Sequence, residues 1–172
     1  LNGPRYTSYP TAPHFDVLFG QAEYRAAAAA SNEEPIPRPL SLYIHLPWCE
    51  RKCPYCDFNS YQRTAQPPFA AYAARLLDDL EQDLGFVAGR GIGSIFIGGG
   101  TPSLFPAAVV SSLLAGVRER LVLAPDAEVT LEANPGSAEA ARFRGYRAAG
   151  VSRISIGVQS FADACLRALG RV

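Results

Sequence analysis

The chain contains no methionine, only two histidines and a single tryptophan among its 172 residues. It also lacks an excess of charge, because 16 basic and 16 acidic side chains give a formal net charge of zero. Without a basic block nothing indicates a nucleic-acid partner, and without an acidic tail nothing indicates a solvating arm. No apolar run reaches the roughly 18 residues of a membrane span. The sequence therefore predicts neither nucleic-acid binding nor a transmembrane segment.

The sequence does not predict secretion either. The segment LNGPRYTSYP does not show the basic-then-apolar order of a signal peptide. Three of the four cysteines are clustered, whereas a disulfide framework would spread them along the chain. We therefore expect a reduced, cytoplasmic protein. Because residue 1 is not methionine and the last residues have helical character without a clear end, we also expect a fragment of a longer protein.

Two regions of the chain differ in composition. Residues 1–40 are rich in proline and contain an alanine-rich stretch at about 21–30 that predicts one short helix. Such a composition is equally typical of a flexible segment. From residue 41 onward, apolar strands and amphipathic helices alternate. We expect an irregular N-terminal leader over residues 1–40 and a folded core over residues 41–172.

The core has the pattern of four successive β-then-α units. Such alternation implies parallel strands joined by right-handed crossovers. A closed eight-unit barrel would need about 250 residues, so we expect an α/β fold that forms an open, partial or truncated TIM-like barrel. Gly85 and Gly150 are placed to end helices, and Ser137 to cap one. The predicted strands are residues 41–46, 94–98, 128–134 and 151–157.

Chemically informative residues follow each predicted strand. A cysteine-containing loop follows the first, GGGTP follows the second, Glu132 and Asn134 end the third, and Gln159 follows the fourth. In parallel α/β folds, functional sites lie at the carboxyl ends of the strands. We therefore expect one site at this edge of the sheet.

The cysteines in YIHLPWCERKCPYCDF have the spacing C-x3-C-x2-C and are Cys49, Cys53 and Cys56. Several thiolates on one loop favour zinc or an iron–sulfur cluster. Zinc would take His45 as a fourth ligand, and a third interpretation is a set of unliganded surface thiols. A cubane cluster held by three cysteines keeps one iron open for an external ligand. Cys165 lies far away, and we expect it to be buried or half-buried without a role.

The segment Gly98–Pro102 directly follows a buried strand. Glycines there allow close approach of the backbone to a ligand, and free N–H groups bind carboxylate or phosphate. The spacing is not the G-x-G-x-x-G of dinucleotide sites. Beside the cysteine loop, this turn is a candidate cradle for a charged group of a small molecule.

Several side chains near these motifs are candidates for ligand contact. Glu132 at the mouth of the site can accept two hydrogen bonds from ribose hydroxyls, and Gln159 and Arg171 follow the same logic more weakly. Tyr55 lies within the cysteine loop, where its ring can stack on a ligand. Trp48 precedes the first cysteine, and we expect it to pack in the core.

The cysteine loop satisfies C-x3-C-x-aromatic-C and resembles that of the radical S-adenosylmethionine (radical SAM) superfamily. LSLYIHLPWCERKCPYCDFNS, IFIGGGTPSL, EANPG and RISIGVQSF resemble its haem-chaperone (HemW) branch. GPRYTSYPTAPHF instead resembles the related oxygen-independent coproporphyrinogen III dehydrogenases (HemN). The resemblance implies a partial barrel of about six units, short of the eight of a closed barrel, followed by a further domain. This chain would supply the first four units.

The resemblance also implies a role for individual positions. The three clustered cysteines would hold a [4Fe–4S] cluster, and the open iron would bind the amino and carboxylate groups of S-adenosylmethionine. One electron from the cluster would then cleave that cofactor to a 5′-deoxyadenosyl radical. The implied cofactor-binding residues are Tyr43, Tyr55, Gly99, Gly100, Thr101, Glu132, Gln159 and Arg171.

One departure bears on the activity. The dehydrogenase motif has a further cysteine two residues after the third, and Phe58 stands there in this chain. We therefore favour a haem-chaperone-like protein with haem as a further ligand. The alternatives are a coproporphyrinogen III dehydrogenase, which would make the protein an enzyme, and a zinc-stabilised structural module. Both leading hypotheses require an electron donor as a partner.

Overall fold

The computed structural model describes residues 20–33, 39–87 and 89–171. The chain divides into two compact units, Leu1–Arg38 and Pro39–Val172. In the first unit, helix α1 (Gln21–Asn32) matches the short helix predicted at about 21–30. None of its residues is buried. Most of the predicted leader lies outside the described residues, and its irregular character stays a prediction.

The second unit alternates strands and helices, as the sequence predicts. In chain order its elements are β1 (Leu40–Leu46), β2 (Trp48–Cys49), β3 (Tyr61–Gln62), α2 (Phe69–Val87), β4 (Ile92–Gly99), a 3-10 turn (Pro102–Leu104), α3 (Ala107–Arg120), β5 (Leu123–Ala133), α4 (Ser137–Ala149), β6 (Arg153–Ile156) and α5 (Asp163–Ala168).

Four of these strands form one parallel sheet in the order β1-β4-β5-β6. Each strand pairs with the next after a helical crossover, which confirms the predicted α/β class with a parallel sheet. The register aligns the strand ends: Leu46 lies beside Gly99, and Ala133 beside Ile156. Segments that leave the sheet at this edge are therefore neighbours in space.

The hydrophobic core lies between one face of the sheet and the crossover helices. Alternation along β4 is clear, because Ile95 and Ile97 are buried whereas Phe96 between them is 40% exposed. Burying one such aliphatic side chain contributes about 1.5–3 kcal/mol. The most enclosed core side chains are Leu46, Ile95, Ile97, Phe105, Val110, Leu113, Leu114, Val117, Leu131 and Tyr146.

Trp48 packs in an aromatic cluster, as predicted. Its ring meets the edge of Tyr72 at a centroid distance of 4.8 Å and of Phe69 at 6.0 Å. Phe105, which follows the 3-10 turn, lies 5.9 Å from it. Aromatic pairs in such geometry stabilise by about 0.5–1.5 kcal/mol beyond their buried area. The cluster therefore fixes the start of the cysteine loop against α2.

Two helix boundaries differ from the predictions. The helix stop predicted at Gly85 is wrong: α2 continues past this residue, and the left-handed backbone (φ +73°) comes only at Gly89. A Cβ at Gly85 would meet no atom within 4 Å, so nothing there forces the chain to turn. Ser137 is the first residue of α4 and Gly136 is its cap. The predicted stop at Gly150 is confirmed by its φ of +103°.

Strand β5 also begins earlier than predicted, at Leu123. Leu123 pairs with Ile92 before the register shifts by a bulge, so the irregular first part of the strand breaks the alternation on which the prediction relied. None of the helices in the described ranges is long and apolar enough to cross a membrane.

Candidate cofactor site at the carboxyl edge of the sheet

A cavity opens at the carboxyl edge of the sheet. It is lined by residues from the cysteine loop, the glycine turn after β4, the end of β5 and the segments that follow β6. Every predicted site residue except Tyr43 lines it: Cys49, Cys53, Tyr55, Cys56, Gly99, Gly100, Thr101, Glu132, Gln159 and Arg171. The parallel register explains this convergence, because these segments all leave the sheet at the same edge.

The cysteine loop is closed at its base by the short parallel pair β2–β3. The backbone N–H of Tyr61 donates to the carbonyl of Pro47 at 2.8 Å, and that of Arg63 donates to the carbonyl of Cys49 at 2.9 Å. Strands of two residues have no periodic pattern by which the sequence could predict them. The loop between them is therefore a closed ring with fixed ends.

Cys49, Cys53 and Cys56 are free thiols within this ring. Cys49 is 7% exposed, and the other two are half-buried. A tight turn in which the N–H of Cys56 donates to the carbonyl of Cys53 at 3.0 Å sets the spacing of these two. The hydroxyl of Ser60 lies 3.8 Å from the sulfur of Cys56. All three thiols reach one cavity without pairing with each other.

Cys165 does not belong to this group. We expected it to be buried or half-buried, and that expectation is wrong: its side chain is exposed. It lies on α5, a six-residue helix in which no residue is buried. A helix this short covers little apolar surface, so its residues stay accessible to solvent. Cys165 is a natural control for the thiols of the cavity.

Both ring nitrogens of His45 are occupied by other partners. Its Nδ1 lies 3.0 Å from the hydroxyl of Tyr43, and its Nε2 lies 2.7 Å from the carbonyl oxygen of Asn59. The second bond requires a proton on Nε2, since a carbonyl only accepts. His45 therefore orients the loop, and since it does not line the cavity that the three cysteines reach, it is not placed to be the fourth ligand of the alternative Cys3His zinc site.

The glycine turn packs directly on the start of the cysteine loop. Gly100 N–H donates to the carbonyl of Leu46 at 2.8 Å, and Thr101 N–H donates to that of Trp48 at 2.9 Å. A Cβ at Gly100 would lie 2.6 Å from the carbonyl oxygen of Pro47, which is closer than real Cβ contacts allow. Gly99 has a φ of +118°, which favours glycine. The turn therefore needs glycine for close backbone packing. The prediction that its N–H groups are free to bind a ligand is wrong for Gly100 and Thr101, because both donate to backbone carbonyls.

Glu132 is half-buried at the end of β5. Gly99 N–H donates to its Oε2 at 3.3 Å, and no ion pair involving this carboxylate occurs among the described residues. Burial raises the pKa of Glu132 above its ordinary value, and the bond from Gly99 opposes this only in part. An acceptor without a cationic partner faces the cavity.

A polar network crosses the opposite side of the cavity. Arg171 donates through Nη1 to the side-chain oxygen of Asn134 and through Nη2 to the carbonyl of Gly157, both at 2.9 Å. Asn134 Nδ2 in turn donates to the hydroxyl of Thr101 at 3.3 Å. Desolvation first, and then a hydrogen bond with Cys53, raise the pKa of Tyr55, while the charge of Arg171 lowers it. The network joins all four strand ends.

Of the remaining predicted cofactor-binding residues, Gln159 lines the cavity and Tyr43 does not. Gln159 has a φ of +68°, the only non-glycine residue with a positive φ among those described. Tyr43 lies outside the cavity lining, 57% exposed, with its ring stacked on Phe96 at 6.2 Å. Desolvation and the charge of Glu132 raise its pKa. Tyr43 therefore borders the site on the Glu132 side.

The described residues do not offer a preformed site for a single metal ion. No three His, Cys, Asp or Glu side chains among them gather closely enough to hold one ion. A tetrahedral zinc would need its ligand sulfurs within about 4 Å of one another. In a cubane cluster each cysteine binds a different iron, so the three thiols need not gather around one ion. Three free thiols that line one cavity are the donor type that a [4Fe–4S] cluster takes.

Comparison with known families decides the assignment. Residues 43–172 match the model of the radical SAM superfamily, which is most of the chain. The chain belongs to the radical SAM superfamily. This match confirms the predicted resemblance. Members of the superfamily in general bind a [4Fe–4S] cluster and S-adenosylmethionine.

Two of the radical SAM relatives of this chain have names that describe different functions. The "Heme chaperone HemW" of Escherichia coli is 58% identical over 134 residues, covering 78% of this chain and 35% of that protein. The "Oxygen-independent coproporphyrinogen III oxidase" of E. coli is 37% identical over 174 residues, covering 99% of this chain and 36% of that protein. The chain thus spans about a third of the length of these relatives.

A solved radical SAM structure has the same fold. Coproporphyrinogen III oxidase (HemN) from E. coli superposes with a TM-score of 0.77 at 36% identity. The superposition covers 97% of this chain and 38% of that one. The predicted membership of the HemN and HemW group is therefore confirmed at the level of fold and family.

Some residues of the radical SAM cavity received no role from the sequence. These residues are Arg51, Ser155 and Gly157. Ser155 pairs in register with Glu132, so the alignment of neighbouring strand ends identifies it. Arg51 lies between the first two cysteines, but its direction depends on the conformation of the loop and has no sequence signal.

Proposed function

We propose that this chain is the cofactor-binding part of a radical SAM protein of haem or porphyrin metabolism. Cys49, Cys53 and Cys56 are the proposed ligands of a [4Fe–4S] cluster. The observation that carries the proposal is that three unpaired thiols and the polar residues of four strand ends line one cavity. Surface thiols without a common function would not be expected to line the same cavity as a glycine turn and a carboxylate that has no ion pair among the described residues.

The other residues of the cavity suit the parts of S-adenosylmethionine. When bound, the reduced cluster supplies one electron for reductive cleavage of this cofactor. Glu132 accepts hydrogen bonds from ribose hydroxyls, because its carboxylate has no competing cation. Gly99, Gly100 and Thr101 admit the amino-acid end, and Tyr43 closes the Glu132 side.

Three side chains on the far side of the cavity complete the proposed cofactor site. Arg171 presents a cation that is held only by neutral oxygens, so its charge is available to a carboxylate. Gln159 contributes an amide from a backbone conformation that costs about 1 kcal/mol or more, which is typical of residues constrained by a site. Tyr55 offers a ring beside the adenine.

For the whole protein, we propose a haem-chaperone-like function with haem as a ligand and an electron donor as a partner. Identity of 58% to a haem chaperone supports this over 37% to a coproporphyrinogen III oxidase. Phe58, 57% exposed at the cavity, stands where the oxidase motif has a cysteine. The second candidate is that oxidase activity, supported by the match of the oxidase over 99% of this chain.

Metal and sulfide analysis tests the cofactor proposal. The full-length protein, purified without oxygen, should contain iron and inorganic sulfide in equal amounts and a visible charge-transfer absorption. Cys53→Ala should lose this absorption, whereas Cys165→Ala should keep it, because Cys165 is exposed and outside the cavity. Zinc without sulfide, or an intact chromophore in Cys53→Ala, would contradict the proposal.

A turnover assay separates the two whole-protein functions. The chaperone proposal predicts stoichiometric binding of haem, seen as a shifted Soret band, without conversion of coproporphyrinogen III. Formation of protoporphyrinogen together with release of methionine would establish the oxidase instead. The cofactor site would be unaffected by that outcome, since both functions use it.

A further inference from the structure

The segment that follows the third cysteine is held by its backbone carbonyls. Lys52 donates through Nζ to the carbonyl of Phe58 at 3.2 Å and to that of Ser60 at 2.9 Å. Between them, the carbonyl of Asn59 accepts a bond from His45 at 2.7 Å. Three successive carbonyls are thus bound by two side chains. A backbone segment without regular secondary structure needs such partners to keep one conformation.

Lys52 is placed so that its bonds encircle two of the cysteines. It directly precedes Cys53, and both acceptors follow Cys56. Its bonds therefore close a ring across the turn in which Cys56 N–H donates to the carbonyl of Cys53. Ser60 is 3% exposed, and its hydroxyl lies beside the sulfur of Cys56. Fixing Ser60 therefore also fixes the surroundings of that sulfur.

The two bonds of Lys52 are internal to the loop. The lysine is exposed, and its bond to Ser60 is partly buried. An ammonium has three donors and forms charge-assisted bonds to carbonyls, which are stronger than neutral ones. Neither bond reaches the sheet or the crossover helices. Loss of Lys52 should therefore loosen the loop without unfolding the hydrophobic core.

We propose that Lys52 is a positioning residue that closes the cluster loop behind Cys53 and Cys56 and places a positive charge beside the cluster. The inference rests on the proposed cluster. Groups outside the immediate ligands of a metal site orient those ligands, and their loss typically costs about 10–100-fold in metal affinity. A neighbouring cation also favours the reduced, more negative form of a cluster.

Substitution of Lys52 in the full-length protein tests this role. Lys52→Met keeps most of the length of the side chain but removes its donors and charge, whereas Lys52→Arg keeps both. Arg63→Met is the matched control, because it removes one positive charge at the base of the loop, where Arg63 pairs with Glu50. Its backbone bond to Cys49 is retained.

Two readouts are measured after reconstitution without oxygen. The rate of iron loss to a chelator should rise about 10–100-fold in Lys52→Met and stay within about twofold of the original protein in Lys52→Arg and Arg63→Met. The midpoint potential of the cluster should become more negative in Lys52→Met. Lys52→Arg should restore it, which a role in side-chain packing alone would not explain.

Each of the other possible outcomes contradicts one specific claim about Lys52 or about the cluster. Unchanged iron loss and potential in Lys52→Met overturn the positioning role, as does Lys52→Arg behaving like Lys52→Met. A collapse of thermal stability in cluster-free Lys52→Met overturns the claim that the effect is confined to the loop. If the original protein takes up no iron and sulfide at all, the proposed cofactor function fails first, independently of Lys52.

Discussion

Replacing Glu132 by glutamine should stabilise the cofactor-free protein and weaken cofactor binding. The carboxylate is half-buried, its pKa is raised by desolvation, and its hydrogen bond from Gly99 is long at 3.3 Å. An amide of the same shape carries no charge to desolvate and can still accept from Gly99. The substitution therefore removes a cost of folding and, in the proposed site, an anionic acceptor of ribose hydroxyls.

The sign of the pH dependence follows from the raised pKa. A carboxyl whose pKa is higher in the folded than in the unfolded state binds protons more tightly when folded. Its unfavourable effect on stability is absent below the unfolded pKa, grows as the pH rises through the folded pKa, and is complete above it. Glu132→Gln should therefore unfold at a higher temperature than the original protein at neutral pH, and the two should converge in acid.

Glu128 is a control of opposite sign on the same strand. A hydrogen bond from Thr130, and more weakly the charge of Arg153, lower its pKa. Its favourable contribution exists above the unfolded pKa and is lost as the pH falls through the lowered one. Glu128→Gln should therefore unfold at the same or a lower temperature than the original protein at neutral pH. Melting curves of both variants from about pH 2 to about pH 8, compared at about one-unit steps, test the opposite signs.

The magnitude for the cofactor comes from charged hydrogen bonds. Each contributes about 1.5–3 kcal/mol, which corresponds to roughly 10- to 100-fold in Kd. Equilibrium dialysis of S-adenosylmethionine against the reconstituted protein should show a loss of this size for Glu132→Gln and none for Glu128→Gln. A lower melting temperature of Glu132→Gln at neutral pH would contradict the cost of burying this carboxylate, and an unchanged affinity would contradict its role in binding S-adenosylmethionine.

Further substitutions test the packing that shapes the site. Gly100→Ala should destabilise the protein by about 1–3 kcal/mol and impair cluster uptake, because its Cβ would press on the Pro47 carbonyl, whereas Gly85→Ala, which meets no atom, should stabilise by about 0.5–1 kcal/mol in urea unfolding. Tyr146→Phe should cost about 1–3 kcal/mol by the same measurement, since its buried hydroxyl bonds two carbonyls of the segment after the glycine turn at 2.7 and 2.8 Å. Gln159→Gly should raise stability by about 1 kcal/mol and weaken S-adenosylmethionine binding, and equal affinity would show that only the backbone conformation matters there.

The periodic spacing of apolar residues predicted where the main strands and helices lie. Apolar alternation located β4, and the spacing of leucines located α2, because a buried face imposes a period that propensity alone does not. Gly150 ended its helix as predicted, since its left-handed backbone is one that other residues resist. Gly85 was misassigned for the complementary reason: glycine permits such a conformation without requiring it.

The gathering of the candidate site residues at one cavity was predictable wherever one strand end determined the position of a residue. Cys49, Glu132 and Thr101 lie at or directly after a strand, and the sheet register brings them together. The exposure of Cys165 and the orientation of the Arg51 side chain toward the cavity depend on how short segments outside the sheet fold. Such segments have no periodic pattern, and hydrogen bonds distant in sequence set their conformation.

The cavity contains two charged side chains, Arg171 and Glu132, that are held by neutral partners. Arg171 is held by an amide oxygen and a backbone carbonyl, and its Nε is buried without a hydrogen-bond partner within the described part of the chain. Glu132 is held by a backbone N–H. Neutral partners orient both groups without neutralising them, so the cation and the anion stay separate. This arrangement lowers the stability of the empty protein, since each charge is desolvated without a counter-charge.

In the proposed site, a ligand that carries a carboxylate and ribose hydroxyls would supply partners to both Arg171 and Glu132. Replacing Asn134 by leucine, which removes the acceptor of Arg171 and the donor to Thr101, should therefore weaken binding of S-adenosylmethionine although the amide itself bears no charge. The expected loss of affinity is about 10-fold, because a guanidinium that has lost one of its two partners is less well oriented to form a charge-assisted hydrogen bond with the ligand. An unchanged Kd by equilibrium dialysis would mean that Arg171 does not act in binding through this network, and the two unpaired charges would need another explanation.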